Sequence, residues 1–287
     1  MADEAEREPA LRELSTHFRF GQNWASYADL IDEERLTEAE RGLVRLLGAD
    51  GLKGRSFLDI GCGSGLHAAA AARLGATAIL ALDIDPASVE TARAVLRRHA
   101  SGAAAAVREF SVFDLDPGQI GTFDIVYSWG VLHHTGAMVE ALRVAAQLVG
   151  PGGLFAFALY RKTRMCGFWR REKRWYASAS DRAQRAALSL YINLLCIGLT
   201  LKGRNFKNYV ANYKGGRGMD FQHDVHDWMG GYPYESIGAA EVEALMRELG
   251  FEHVRSFTRP LSLGLLGSGC DEFVYRRPAG GASQHPR

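Results

Sequence analysis

Residues 57–65, Phe57-Leu58-Asp59-Ile60-Gly61-Cys62-Gly63-Ser64-Gly65, end an apolar run in an acid and then place three glycines on alternate positions. Glycine tolerates positive φ and lets a backbone approach a ligand closely. The alanine-rich stretch 66–74 behind the loop offers the unpaired N–H groups of a helix start. Strand, loop and helix start together cradle a ligand. A dinucleotide fingerprint needs its third glycine at position 66, which is Leu66. Asp83 follows Gly65 by 18 residues and ends a second apolar run, 78–83. A carboxylate there can accept hydrogen bonds from both ribose hydroxyls of an adenosine, and Ile84 can pack on the adenine face.

Two further groups carry ionisable side chains. His133 and His134 stand just past the apolar stretch 123–128, and either could act as a base because histidine titrates near neutral pH. Residues 218–235 interleave His223, Asp224, His226 and Asp227 with Trp228, Tyr232 and Tyr234. That mixture suits a pocket wall: a base with its orienting carboxylate, or groups that recognise substrate hydroxyls. Metal ligation and plain helix capping are the competing readings. A third cluster sets Arg161, Lys162, Arg164, Arg170, Arg171, Lys173 and Arg174 among Phe168, Trp169, Trp175 and Tyr176. It reads as a solvated helix face, with an anionic substrate as the second option.

The elements that must position these groups alternate. Strands are expected at 56–60, 78–83, 106–110, 123–128 and 154–160, and helices at 65–74 and 86–99, the latter capped by Asp85 with Pro86 at its first position. Helical segments are expected at 11–17 and 35–48. The aromatic-rich stretch 18–27 between them folds over something. From 161 to 238 the alternation stops. It resumes with a helix at 239–249, ended by Gly250, and strands at 254–258 and 272–276.

Composition excludes several classes. With 47% apolar and 23% charged residues the profile is globular, and a net charge of +1 gives no global field for nucleic acid or membranes. The four cysteines form no C-x-x-C pair, which fits a reducing, cytoplasmic setting. The acidic N-terminus is no signal peptide, and the apolar stretch 188–201 reads as a buried helix too short to span a bilayer.

The pattern Asp59-x-Gly61-x-Gly63-x-Gly65 resembles motif I of the class I S-adenosylmethionine-dependent methyltransferases. Asp83, Asp114 after the third strand and Trp129–His134 after the fourth occur in that family's order, over residues 57 to about 160. The resemblance implies an α/β fold, a Rossmann-like seven-stranded methyltransferase sheet. It has an N-terminal helical lid (1–55), a cofactor-binding core (56–160), a substrate cap inserted after strand five (161–238), a C-terminal part of the core (239–277) and a disordered tail (278–287). It implies S-adenosyl-L-methionine as cofactor, held by Asp59, Gly61, Gly63, Gly65, Asp83, Ile84, Phe113, Ser128 and Trp129. Asp114 would accept the adenine amino group, with Asp116 as competitor. Trp24 and Tyr27 become lid residues which, with Tyr160, Asp227, Tyr232 and Tyr234, would contact substrate. His133, His134, His223, His226 and Asp224 are the catalytic candidates. The expected reaction is O-methylation of a small molecule, with no resident metal. N-methylation, methylation of a peptide, glycan or RNA, and a non-catalytic cofactor-binding subunit are the alternatives.

Overall fold

A computed structural model describes residues 17, 18, 20–213, 220–260 and 262–280. The expected helix at 11–17 and the tail beyond 280 therefore fall almost wholly outside the described residues. Seven strands form one sheet: β1 (Ser56–Ile60), β2 (Ala78–Asp83), β3 (Ala105–Glu109), β4 (Phe123–Trp129), β5 (Val149–Tyr160), β6 (Glu252–Phe257) and β7 (Cys270–Arg276), in the order β3-β2-β1-β4-β5-β7-β6. The first five are parallel, and β7 runs antiparallel to both β5 and β6. The connection order reverses between β1 and β4, which opens a crevice at their carboxyl ends.

Helices α1 (Phe20–Ala28) and α2 (Glu33–Leu47) precede the sheet, and α3 (Leu66–Arg73), α4 (Pro86–His99), α5 (Pro117–Ile120) and α6 (Met138–Gln147) connect its parallel strands. The stretch between β5 and the last helix is itself helical: α7 (Cys166–Ser178), α8 (Asp181–Leu201), α9 (Phe206–Ala211) and α10 (Phe221–Gly230), before α11 (Ala239–Glu248). Local signals explain many of these bounds. Asp32 and Asp85 cap α2 and α4 by accepting the backbone N–H of Arg35 and Ala87. Gly250 follows α11 at φ +78°, a C-terminal stop that glycine adopts without strain.

Both sheet faces are covered. Leu36, Ala39, Leu43, Leu46 and Leu47 of α2 join the alanines of α3 and Phe57, Ile79 and Ile125 of the sheet on one side. Leu142 of α6 and Val242 and Met246 of α11 pack on Leu58, Val126 and Phe155 on the other. Each such Leu contributes about 1.5–3 kcal/mol by its burial.

Two expectations need correcting. The aromatic stretch 18–27 is mostly a regular helix, because Phe20, Trp24 and Tyr27 recur at helical spacing. The apolar stretch 188–201 is helical but not buried: in α8 only Leu199 is enclosed, and Leu190, Leu194, Ile197 and Leu201 face outward. Apolar composition alone does not say whether anything covers a helix.

Candidate functional site

One cavity of about 810 Å³ lies over the β1–β4 crevice. Its wall joins Gly61, Gly63, Asp83, Ile84, Phe113 and Trp129 from the core to Trp24 and Tyr27 of α1. The inserted helices add Tyr191, Asp224, Asp227 and Trp228.

The loop geometry accounts for its glycines. Gly61 has φ +74° and Gly63 φ +51°, both in the left-handed region. A Cβ on Gly61 would stand 2.3 Å from Val131 Cγ1, and one on Gly63 3.0 Å from the Trp24 indole. The N–H groups of Gly61 and Cys62 donate to Leu82 O at 2.8 and 2.9 Å, which ties the loop to β2. Gly63 N donates to Asp83 Oδ2 and Asp85 N to Asp83 Oδ1, both at 2.9 Å. Burial lifts the Asp83 carboxyl to about 6, against the pull of those N–H donors.

Asp59 belongs under the loop rather than in the cavity wall. It is buried on β1, its Oδ2 has no hydrogen-bond partner among the described residues, and burial, reinforced by Asp83, lifts its carboxyl to about 8. Gly65 caps α3, also behind the wall. Ser128 is buried and donates to Ile60 O at 3.0 Å, joining β4 to β1. Asp114 is exposed outside the wall, and Asp116 caps α5 through Gly118 N, so neither acid faces the cavity. Phe110, Ser111, Val112 and Phe113 form the wall there instead.

Trp129 donates from Nε1 to Glu272 at 2.9 Å, and Arg45 Nη2 reaches both Glu272 oxygens at 2.7 and 2.6 Å. Glu272 and Arg45 also line the cavity. They come from β7 and α2, too far apart in sequence to be read as a unit.

The paired histidines sit in the wall, fully enclosed. His133 Nδ1 accepts Tyr160 N–H at 3.3 Å, so the neutral ring carries its proton on Nε2, which has no partner among the described residues. His134 Nδ1 lies 2.7 Å from Pro233 O and donates to it, holding the 231–235 segment. Burial pushes His133 well below the usual histidine range and His134 down to about 3. Neither is poised as a base near neutral pH. The Tyr160 ring centroid lies 3.8 Å from that of His133, the planes tilted by 37°, and completes this wall.

In the 218–235 cluster helical phase separates the candidates. Phe221, Asp224, Val225 and Trp228 share the face of α10 that meets the cavity, and Asp227 reaches it beside them. His223 and His226 lie outside the wall. His223 pairs with Asp220 at 2.7 Å and Ser26 at 2.9 Å, and His226 with Tyr176 Oη at 2.9 Å. These contacts hold both rings outside the cavity wall, where the sequence had expected catalytic groups. Asp224 accepts the Tyr213 hydroxyl. Asp227 accepts Asn23 Nδ2 at 2.6 Å, and burial, then Asp224, pushes its carboxyl well above the usual range. Tyr232 and Tyr234 also stand outside the wall. Tyr234 is buried behind Tyr160 and donates to Ser268 Oγ at 3.2 Å.

Sequence reasoning set Lys173 on a solvated face. It is fully buried, its Nζ 3.5 Å from the Trp228 ring centroid and hydrogen-bonded to Trp228 O. Burial lowers its ammonium and raises the neighbouring Glu172 carboxyl. Among the described residues no group of three or more His, Cys, Asp or Glu is arranged to hold a metal ion.

Residues 58–155 match the family model of a methyltransferase domain. The core is a class I S-adenosylmethionine-dependent methyltransferase domain. Its curated relatives include ubiquinone biosynthesis O-methyltransferases. One from Xanthomonas euvesicatoria pv. vesicatoria is 40% identical over 111 residues, which is 38% of this chain and 45% of that protein. One from Methylocella silvestris is 40% identical over 120 residues, 41% and 44% of the two chains. The chain thus spans less than half the length of these relatives. The fold extends further than the sequence similarity. An O-methyltransferase family protein from Burkholderia thailandensis superposes with a TM-score of 0.55 at 17% identity, over 97% of this chain and 69% of that one. PKMT2 from Rickettsia typhi, in complex with AdoHcy, gives 0.56 at 15%, over 87% and 54%.

S-adenosylmethionine is the cofactor of this methyltransferase domain, and the residues present fit it. Side-chain-free backbone at Gly61 and Gly63, a half-buried carboxylate at Asp83 and the apolar Ile84 and Phe113 offer what a ribose and an adenine require.

Proposed function

We propose that the protein transfers the methyl group of S-adenosylmethionine to an oxygen of a small-molecule acceptor. The observation that carries this reading is the cavity over the β1–β4 crevice, whose volume of about 810 Å³ is ample for a cofactor and a substrate together. At one end are the glycine loop and Asp83. At the other are His133, Tyr160, Asp227 and Trp228. The relatives named O-methyltransferases support oxygen as the acceptor atom.

The bound cofactor supplies an activated methyl group with a good leaving group, so the protein's task is alignment. Asp83 holds the ribose end and Ile84 and Phe113 the base. Trp24 closes over Gly63 and keeps water out. His133, with its proton on Nε2, donates to the acceptor oxygen and orients it. Asp227 in its ionised form takes the hydroxyl proton as the oxygen attacks, and burial makes that carboxylate a stronger base than a solvated one. His134, His223 and His226 hold the surrounding segments and leave the proton transfer to Asp227. The helices of 161–238 form the substrate-facing side and those before β1 the lid.

Transfer of labelled methyl to a panel of small hydroxyl compounds and matched amines tests this. Methylated hydroxyl products are expected, with Asp227→Asn lowering kcat at least tenfold and leaving cofactor affinity within twofold. Product on amines alone would refute oxygen as acceptor. Cofactor binding without transfer to any acceptor would favour a non-catalytic subunit.

A further inference from the structure

The net charge of +1 hides a strong asymmetry. Residues 161–207 carry twelve Lys and Arg against two acids, Glu172 and Asp181. The same stretch holds the largest exposed apolar side chains. On α8, Leu190, Leu194, Ile197 and Leu201 are 61%, 49%, 56% and 83% exposed, and their spacing of three or four residues makes one stripe. The opposite face of α8 is occupied: Leu188, Tyr191, Ile192 and Leu195 pack toward Phe221 and Val225 of α10.

The loop before β7 extends this surface. Tyr191 Oη donates to Leu266 O at 2.9 Å and Trp169 Nε1 to Gly264 O at 2.7 Å, which fixes the loop beside α7 and α8. Leu263 and Leu265 on it are exposed, as are Phe168 and Trp175 of α7. Arg182 stands in the first turn of α8, and Lys202 and Arg204 follow its end. All three are exposed.

We infer that this face docks on the surface of an anionic lipid bilayer, with the α8 stripe and Leu263–Leu265 in the interface and the flanking cations at the headgroups. Apolar side chains rimmed by Lys and Arg are what such a surface binds. The 21-residue α8 is long and apolar enough to cross a membrane by length and composition alone, which corrects the expectation that this stretch is too short. Its inner face, however, is engaged with the domain, so the helix lies along the interface. A second copy of the chain is disfavoured, since it would bring two cationic faces together. A nucleic acid has no use for the Leu and Ile stripe.

Docking bears on the proposed methyl transfer, and this part of the inference rests on that reading. Tyr191 and Leu195 of α8 and Leu266 of the loop also line the cavity. The same elements therefore contact lipid on one side and the site on the other, which admits an apolar acceptor directly from the bilayer.

Flotation of the full chain with phosphatidylcholine vesicles, with and without phosphatidylglycerol, tests the inference. Binding is expected to the anionic vesicles and to weaken with salt. Replacing Arg182, Lys202 and Arg204 by Ala should lower partitioning on the order of a hundredfold. Leu194→Ser with Ile197→Ser should abolish it, and both sites are exposed, so circular dichroism should match the parent. No flotation with anionic vesicles, or flotation retained in both variants, overturns the inference. A dimer seen by light scattering and dispersed by the two serines overturns it in favour of a second copy. S-adenosylhomocysteine binding without vesicles reads the donor site alone, so either reading can fail without the other.

Discussion

The Asp83 assignment makes a quantitative claim about pH. Its carboxyl sits at about 6 because burial opposes the charge, while Gly63 and Asp85 N–H groups support it. The ribose hydroxyls are donors to an ionised acceptor. If only the ionised form binds fully, the apparent affinity scales with its fraction. That fraction is near one at pH 8, about half at pH 6 and about a tenth at pH 5, so the dissociation constant should rise about tenfold between pH 8 and pH 5. Asp83→Asn removes the titration and the charge together. It should weaken binding by about 2–4 kcal/mol, the worth of one or two charge-assisted hydrogen bonds, and leave a constant that no longer changes over this range. The assay is calorimetric titration with S-adenosylhomocysteine at four pH values, with circular dichroism confirming the fold. Equal wild-type affinity at pH 5 and pH 8, or an Asn variant that binds like the parent, would refute the role given to Asp83.

Three other outcomes are expected. Asp59 has a folded-state value of about 8 against 3.8 unfolded, so between those values the unfolded chain has released a proton that the folded chain keeps. Its contribution to stability falls by about 1.4 kcal/mol per pH unit as pH rises through that window. Asp59→Asn should remove the slope, so parallel urea-denaturation profiles of variant and parent from pH 5 to pH 7 would contradict the assignment. Gly63→Ala must hold an L-residue at φ +51° against the Trp24 ring, and it should cost at least about tenfold in cofactor affinity; calorimetry giving the parent's value would remove the close-approach argument. Lys173→Met leaves the Trp228 carbonyl and Glu172 without their buried cation and should destabilise by about 3 kcal/mol, with partial recovery on adding Glu172→Gln. A single variant within 1 kcal/mol of the parent by urea denaturation would mean the ammonium is dispensable.

What could be read from sequence was local. The glycine loop, Asp83 and the Asp85–Pro86 helix start each announce a backbone conformation within a few residues, and all three stand where their chemistry placed them. The order of strands followed from the alternation of apolar runs. What local signals did not reach depended on phase or distance. His223 and His226 looked equivalent to Asp224 and Asp227, and only the docking of α10 decides which face meets the cavity. Asp114 sits one residue past Phe113, and a short helical turn sends one to the wall and the other to solvent. Lys173 was counted with its basic neighbours because nothing local says that Trp228, 55 residues on, will cover it.

Helix α1 has a consequence for the order in which the molecule is completed. Gly21 N donates to Asp85 Oδ2, 64 residues later, and Asn23 Nδ2 to Asp227 Oδ1, 204 residues later. A segment made before the whole sheet is thus among the last to acquire its partners. Until α10 is made, Asn23 lacks its Asp227 acceptor, and the sheet that carries the glycine loop still lacks β6 and β7. The helix whose Trp24 covers Gly63 is thus fastened, near both ends of its first turn, by side chains that lie far beyond it in the chain.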